Sequence, residues 1–373
     1  MSTFFSILRT DPAVRQLSEA LAGAPQQILA HGFAGSMKHA AAAAAYDCHP
    51  RPLAIVTSGR EALRAWQEDL AALLPEADIY ELPELDRIGF AAPGAAKGME
   101  RSAQRMNILA RLLRHEPIIV LADIAAAAQK GLSTAEFSRA ALSLRLGEKL
   151  PRETLLERLS TLGYEHVSEA EYAGQFSVRG GIVDIFPINA LSPIRVEFFD
   201  MEIDSMREYD SLTKRSIKNI GTASIMPLCA ADDEGEACFL TYLGGAGMTI
   251  FDEPTRLTAA LADAVQEDEV RGARLFRWED MVAAGAEGHE VFASLMSRSF
   301  PACAPAMLIG FHVVPMTAFQ RQFAMLESEL RRYLADEVQV LVLAGGVERA
   351  NLVRDMLMGW KIPAVVLRKE GET

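Results

Sequence analysis

The sequence lacks the features that mark exported and membrane proteins. No apolar run approaches the roughly 18 residues needed to cross a bilayer, and the start shows no basic stretch followed by an apolar core and a cleavage site. The chain has only 4 cysteines in 373 residues, and their spacing matches no zinc motif. We therefore expect reduced thiols, no bound metal and a cytoplasmic protein.

Basic residues are also scarce. The chain has 37 lysines and arginines against 50 acidic residues, which gives a formal net charge of −13. Proteins that grip duplex DNA unaided usually show a basic face. The charge balance therefore favours a protein partner over a nucleic acid partner.

The order of predicted elements indicates an α/β protein with an insert. Short apolar runs and stretches of helical periodicity alternate through the first third, which predicts a mostly parallel sheet covered on both faces. Short strands with turn residues follow, and the α/β pattern then returns near Met248. We predict a helicase-like, RecA/P-loop-type domain made of residues 1–131 and 229–373, interrupted by an α+β domain at residues 132–228.

Three local features are also predicted. Ser58 and Glu61 have the spacing of a capping box at the start of a helix. Residues 338–343 and 364–367 are predicted strands. The sequence stops soon after the second of these, so we expect it to be a fragment of a longer polypeptide.

A degenerate phosphate loop lies between the first predicted strand and helix. The sequence GFAGSMKH keeps Gly32 and Lys38 of the pattern G-x-x-x-x-G-K-[ST], and it has a further glycine at Gly35. Met37 replaces the second required glycine and His39 replaces the hydroxyl. A methionine side chain obstructs the approach of the backbone to a nucleotide, and a neutral imidazole is a poor magnesium ligand. We predict a strand-turn-helix without bound nucleotide.

The sequence MTIFDE resembles the second ATPase motif. In an active enzyme Asp252 would hold magnesium and Glu253 would orient the attacking water. The same two acids, placed before Pro254, also suit the start of a helix. Together with the altered loop, they predict an ATPase fold that has lost its chemistry, with no catalytic residue and no cofactor.

The insert contains motifs that are specific to one family. The stretches FSVRGGIVDIFP, IRVEFFD and EIDSMR strongly resemble the domain shared by UvrB and bacterial transcription-repair coupling factors (Mfd). The resemblance extends to GFAGSMKH, ELPELDRIGF and FDEPTRL. It implies a module that binds UvrA and the downstream domains of its own polypeptide. In that family the downstream parts carry an ATP- and magnesium-dependent motor and contact RNA polymerase and DNA.

Two departures separate the candidate functions. UvrB has an intact phosphate loop and an aromatic-rich hairpin that clamps DNA, whereas residues 81–98 here offer only Phe90 as an aromatic. This favours the front part of a coupling factor. The alternatives are a UvrB-like, nucleotide-dependent DNA-processing enzyme with a divergent loop, and a purely structural module that holds the motor domains at rest.

The resemblance also implies which residues contact UvrA. By motif these are Arg179, Arg195 and Phe199. Side chains alternate along a strand, so the odd-numbered residues of 194–199 are predicted to point away from the core. Arg179 is predicted to reach the surface for the same reason. The alternative is that Arg195 and Glu197 form solvated charge pairs while Phe199 packs under a loop.

Overall fold

The computed structural model describes residues 2–85, 95–228, 235–314, 319, 322–342, 344 and 346–366. The helices are α1 Ser2–Leu8, α2 Pro12–Ala22, α3 Met37–Cys48, α4 Arg60–Leu73, α5 Ala95–Leu113, α6 Ile124–Ala128, α7 Thr134–Ala140, α8 Arg152–Thr161, α9 Pro254–Glu267, α10 Glu269–Gly272, α11 Trp278–Gly285, α12 Phe323–Ala335 and α13 Val347–Gly359. None of these described helices is long and apolar enough to cross a membrane.

The strands fall into three sheets within the described residues. They are β1 Gln27–His31, β2 Leu53–Thr57, β3 Ile79–Glu81, β4 Ile119–Asp123, β5 Leu142–Arg145, β6 Glu165–His166, β7 Gln175–Arg179, β8 Ile182–Phe186, β9 Ile194–Phe199, β10 Glu202–Tyr209, β11 Ser216–Asn219, β12 Thr222–Ile225, β13 Met248–Asp252, β14 His289–Ser294 and β15 Met307–Gly310. A short 3₁₀ helix spans Phe239–Leu243.

The central sheet is parallel and lies between two layers of helices. Its strand order is β15-β1-β14-β13-β2-β4-β3, and each of its neighbouring pairs is parallel. Alternate side chains enter opposite cores: Ile28, Leu53 and Ile55 pack with α2, α3 and α4, whereas Leu29, Ala54 and Val56 pack with α5, α6 and α9. The predicted α/β class with a mostly parallel sheet is therefore confirmed.

The second sheet has the order β11-β10-β9-β8-β7-β6. Its pairs are antiparallel except β6 with β7. One face of it joins the larger core through Phe176, Val183, Ile194 and Val196. Its strands, like the pair β5 and β12, fall inside the segment predicted as an insert. The boundaries proposed at 131 and 228 stay a prediction.

Two local predictions are wrong. α4 begins at Arg60 with Gly59 as its N-cap residue and no side-chain cap hydrogen bond, so Ser58 precedes the capping position and forms no capping box. A capping box is found instead at Ser133 and Glu136, at the start of α7. Residues 338–342 and 364–366 form no strand, because no neighbouring strand pairs with them among the described residues. Residues 343 and 367 lie outside those residues.

Candidate functional site

Gly32 occupies a position that only glycine can fill. Its φ is +86°, and a Cβ atom added there would lie 2.0 Å from the carbonyl oxygen of Phe311. Its N–H donates to the carbonyl oxygens of Ser294 and Leu295, each at 3.1 Å. Close packing against the segment after β15 therefore accounts for this glycine without any ligand. Gly35 has a φ of +57° and open space around it.

Lys38 and Asp252 are joined directly. The distance from Lys38 Nζ to Asp252 Oδ1 is 2.6 Å, and Asp252 Oδ2 accepts a hydrogen bond of 2.8 Å from Trp66 Nε1. Asp252 is only 3% exposed and Trp66 is fully buried. In a working phosphate loop the lysine would reach phosphate and the aspartate would hold magnesium. Here the two groups neutralise each other.

His39 is engaged with α4. Its Nδ1 lies 2.5 Å from Asp69 Oδ2, and its ring packs against Trp66 with 4.2 Å between ring centroids. Burial lowers the pKa of His39, although the carboxylate of Asp69 opposes this shift. The residue in the place of the magnesium-binding hydroxyl therefore contacts protein groups.

Glu253 links the end of β13 to the end of β14. It has a left-handed φ of +55° and is the N-cap residue of α9, which begins at Pro254. Its N–H donates to Ala293, and its Oε1 accepts from the N–H of Leu295 at 2.8 Å. The expected helix start is therefore present, although the side chain of Glu253 does not cap it. The structure brings Gly32, Lys38, Asp252 and Glu253 to one edge of the parallel sheet, where β1 and β13 end. That this site binds no nucleotide stays a prediction.

The second candidate site is the face of the six-stranded sheet that points away from the core. We call this the outer face; its side chains include Arg179, Asp184, Arg195, Glu197, Phe199, Arg207 and Tyr209. The predicted alternation along β9 is confirmed, because Ile194 and Val196 are buried while Phe199 is 77% exposed. Arg179 reaches the surface with 53% of its side chain exposed.

Arg195 is held in place from two sides. Its Nε and Nη2 atoms donate to Asp184 Oδ1 and Oδ2 at 2.7 and 2.8 Å. The two residues stand directly opposite each other on β9 and β8, and the guanidinium lies 4.8 Å from the ring centroid of Tyr209. The hydrogen bonds to Asp184 raise the pKa of Arg195.

The neighbouring charges are paired as well. Arg207 Nη2 donates to Glu197 Oε1 at 2.5 Å, and Ser205 donates to the other oxygen of Glu197 at 2.8 Å. The alternative interpretation expected solvated charge pairs; Arg195 and Glu197 both form ion pairs, but the pair of Arg195 with Asp184 is largely buried, with 19% and 3% of the two side chains exposed. Its expectation that Phe199 packs under a loop is wrong, because Phe199 is not covered by a loop.

Comparison with known proteins bears on the outer face. The family model of the UvrB interaction domain matches residues 142–229. All the side chains that define the outer face lie within this match, whereas the altered phosphate loop lies outside it.

The chain is also similar to transcription-repair-coupling factors. It is 31% identical over 209 residues to that of Bacillus subtilis (strain 168), covering 55% of this chain and 17% of the relative. It is 26% identical over 225 residues to that of Staphylococcus aureus (strain bovine RF122 / ET3-1), covering 60% of this chain and 19% of the relative. It is 27% identical over 201 residues to that of Staphylococcus haemolyticus (strain JCSC1435), covering 54% of this chain and 17% of the relative. The chain therefore spans less than a fifth of these relatives. The resemblance predicted from the motifs is confirmed.

The sequence did not identify every residue that matters at these sites. Asp184 lies within the quoted motif VRGGIVDIFP, and an alternating pattern would have put it on the same side as Ser177 and Arg179, but its pairing with Arg195 depends on strand register. No signal marked Trp66 or Tyr209. Phe90, the one aromatic of the segment aligned with the DNA-clamping hairpin, lies outside the described residues.

Proposed function

We propose that this chain is a non-catalytic recruitment module of a transcription-repair coupling factor. It binds UvrA through the outer face and so brings nucleotide excision repair to stalled RNA polymerase. The observation that carries the proposal is a phenylalanine that is 77% exposed on the same strand face as an arginine held by a bidentate ion pair. In this proposal, other parts of the same polypeptide contact RNA polymerase and DNA and carry the ATP-dependent motor.

The chemistry of this face suits a protein partner. Arginine and aromatic side chains are the residues most enriched among binding hot spots. Because Arg195 is already fixed by Asp184 and Tyr209, little of its side-chain freedom remains to be lost on binding. The side chains of Arg179 and Phe199 are 53% and 77% exposed, so a partner can cover them.

The nucleotide site supports a non-catalytic role. ATP and magnesium would need the Lys38 ammonium and the Asp252 carboxylate, which bind each other at 2.6 Å. A UvrB-like DNA-processing enzyme would have to break this pair at each binding event. We therefore propose that the chain functions through the outer face and not through the nucleotide site.

Removing one anchor side chain should weaken UvrA binding. We expect Arg195→Ala and Phe199→Ala each to raise the dissociation constant about tenfold or more, the scale of a hot-spot side chain. Titration of purified UvrA against the labelled chain measures this effect. The melting temperature should stay close to that of the wild type for Phe199→Ala, since its ring is exposed.

Matched variants elsewhere on the surface control for nonspecific effects. Arg277 forms an exposed ion pair with Asp280 on α11, and Phe323 is 54% exposed on α12. Arg277→Ala and Phe323→Ala should bind UvrA like the wild type. If all four variants bind with equal affinity, the outer face is not the UvrA-binding surface.

A further inference from the structure

One buried carboxylate lies between the two arginines of the outer face. Asp184 is 2% exposed. Its oxygens accept both hydrogen bonds from Arg195, and Oδ2 lies 3.9 Å from Arg179 Nη2. The guanidinium of Arg179 also lies 3.6 Å from Glu169. Arg195 is therefore held by Asp184, whereas Arg179 lies nearer to Glu169 than to Asp184.

Burial makes this arrangement sensitive to the charge of Asp184. A buried carboxylate is stable only when it is paired and hydrogen-bonded, and the bidentate contact with Arg195 supplies both. Without that charge, the two hydrogen bonds from Arg195 would lose their ionic component. The Arg195 guanidinium would then be held less firmly in its present orientation.

The geometry of the hydrogen bonds also fixes orientation. Two parallel N–H···O bonds define the plane of a guanidinium, whereas a single bond leaves it free to rotate. The ring of Tyr209 supports the same group at 4.8 Å. The bidentate contact uses Nε and Nη2, so Nη1 is the nitrogen of Arg195 that it leaves for a partner.

From these contacts we infer that Asp184 is a positioning residue, which sets the orientation of Arg195 for recognition of an acidic or carbonyl-rich surface of the partner. This inference rests on the proposed binding of UvrA. Asp184 itself is buried and does not touch the partner.

The variant Asp184→Asn tests this role with almost no change in side-chain size. The amide replaces one carboxylate oxygen by an NH₂ donor, so it cannot accept a hydrogen bond from Arg195 on each of its two terminal atoms. We expect UvrA affinity to fall about tenfold, comparable to the loss of a hot-spot side chain. In the background of Arg195→Ala, the same change should weaken binding less than threefold further, because Asp184 acts mainly through Arg195.

A spectroscopic signal separates positioning from a general structural defect. The Nε–H of Arg195 donates to Asp184, so we expect a resolved, exchange-protected ¹H–¹⁵N resonance, identified by its loss in Arg195→Lys. Asp184→Asn should shift or broaden it. Asp280→Asn is the matched control, since Asp280 accepts a bidentate pair of hydrogen bonds from Arg277 at α11, outside the outer face; it should leave the Arg195 signal in place and change UvrA affinity less than threefold.

The outcomes distinguish this inference from the proposal on which it rests. If neither wild type nor Arg195→Ala binds UvrA, the proposed function fails, and the resonance still reports whether Asp184 fixes Arg195. If Arg195→Ala weakens binding while Asp184→Asn binds normally with an unchanged resonance, the positioning role is overturned. Should Asp184→Asn fold poorly, Asp184→Glu keeps the charge but displaces the guanidinium. It should weaken UvrA binding several-fold, and unchanged binding would overturn the inference equally.

Discussion

Replacing Lys38 by methionine should lower the free energy of unfolding by about 3–5 kcal/mol, the usual loss when one partner of a buried ion pair is removed. The variant leaves the Asp252 carboxylate, which is 3% exposed, with the hydrogen bond from Trp66 Nε1 but without its cation. A buried charge without a counter-ion is strongly destabilising. Urea denaturation of the wild type and the variant measures the difference.

Two further variants test the cause of this loss. Lys38→Met combined with Asp252→Asn removes both charges and keeps an acceptor for Trp66, so it should recover most of the lost stability. Lys130→Met is the surface control, because its partner Glu236 is 74% exposed; it should change stability by less than about 1 kcal/mol. A Lys38→Met variant as stable as the wild type would show that the ion pair does not hold this edge of the sheet together.

The second large effect concerns pH and Glu290. This residue is fully buried in β14, Gln27 donates to its Oε2 at 2.7 Å, and its Oε1 has no hydrogen-bond partner. Burial raises the pKa of Glu290 from 4.5 to about 7. The native state therefore holds a proton that the unfolded chain releases at a lower pH. The resulting stabilisation is complete below pH 4.5 and is lost as the pH rises through about 7.

Glu290→Gln should remove this dependence on pH. Across that window the wild type should lose roughly 3 kcal/mol relative to the glutamine variant, because one unit of pKa corresponds to about 1.4 kcal/mol. Thermal unfolding at pH 5 and pH 8 gives the comparison. We expect a small difference at pH 5 and a clearly more stable variant at pH 8. A difference that is the same at both pH values would mean that Glu290 is ionised throughout. His289 is present in both proteins, so its own titration cancels.

The sequence predicted β1, β2, β4 and β13 from short, largely apolar runs, but it did not predict the apolar strand β15. It missed β14, which begins with His289 and Glu290, because charged residues rarely begin a central strand that is buried throughout. The reverse error occurred at residues 338–342, which contain three valines and a leucine but have no strand beside them among the described residues. Strand propensity alone therefore does not determine whether a segment joins a sheet.

The candidate sites were predictable to different depths. Alternation along β9 was sufficient to place Arg195 and Phe199 on one face. The contact of Arg195 with Asp184 depends on the register of β8 against β9, and a single sequence does not fix that register. The order of the two ATPase motifs predicted an ATPase fold that has lost its chemistry. The direct pairing of Lys38 with Asp252, and the hydrogen bond from Trp66, required the structure.

We propose that Lys38 and Asp252 form an ion pair where an ATPase holds nucleotide, and that the chain acts by binding and not by hydrolysis. Thermal unfolding with and without ATP and magnesium tests this proposal most directly. A ligand at 100 times its dissociation constant stabilises the native state by about 2.7 kcal/mol, a shift of several degrees. We predict no shift at millimolar ATP, for the wild type as for Asp252→Asn. A rise of several degrees in the wild type that is absent in Asp252→Asn would contradict the account and favour a nucleotide-dependent enzyme.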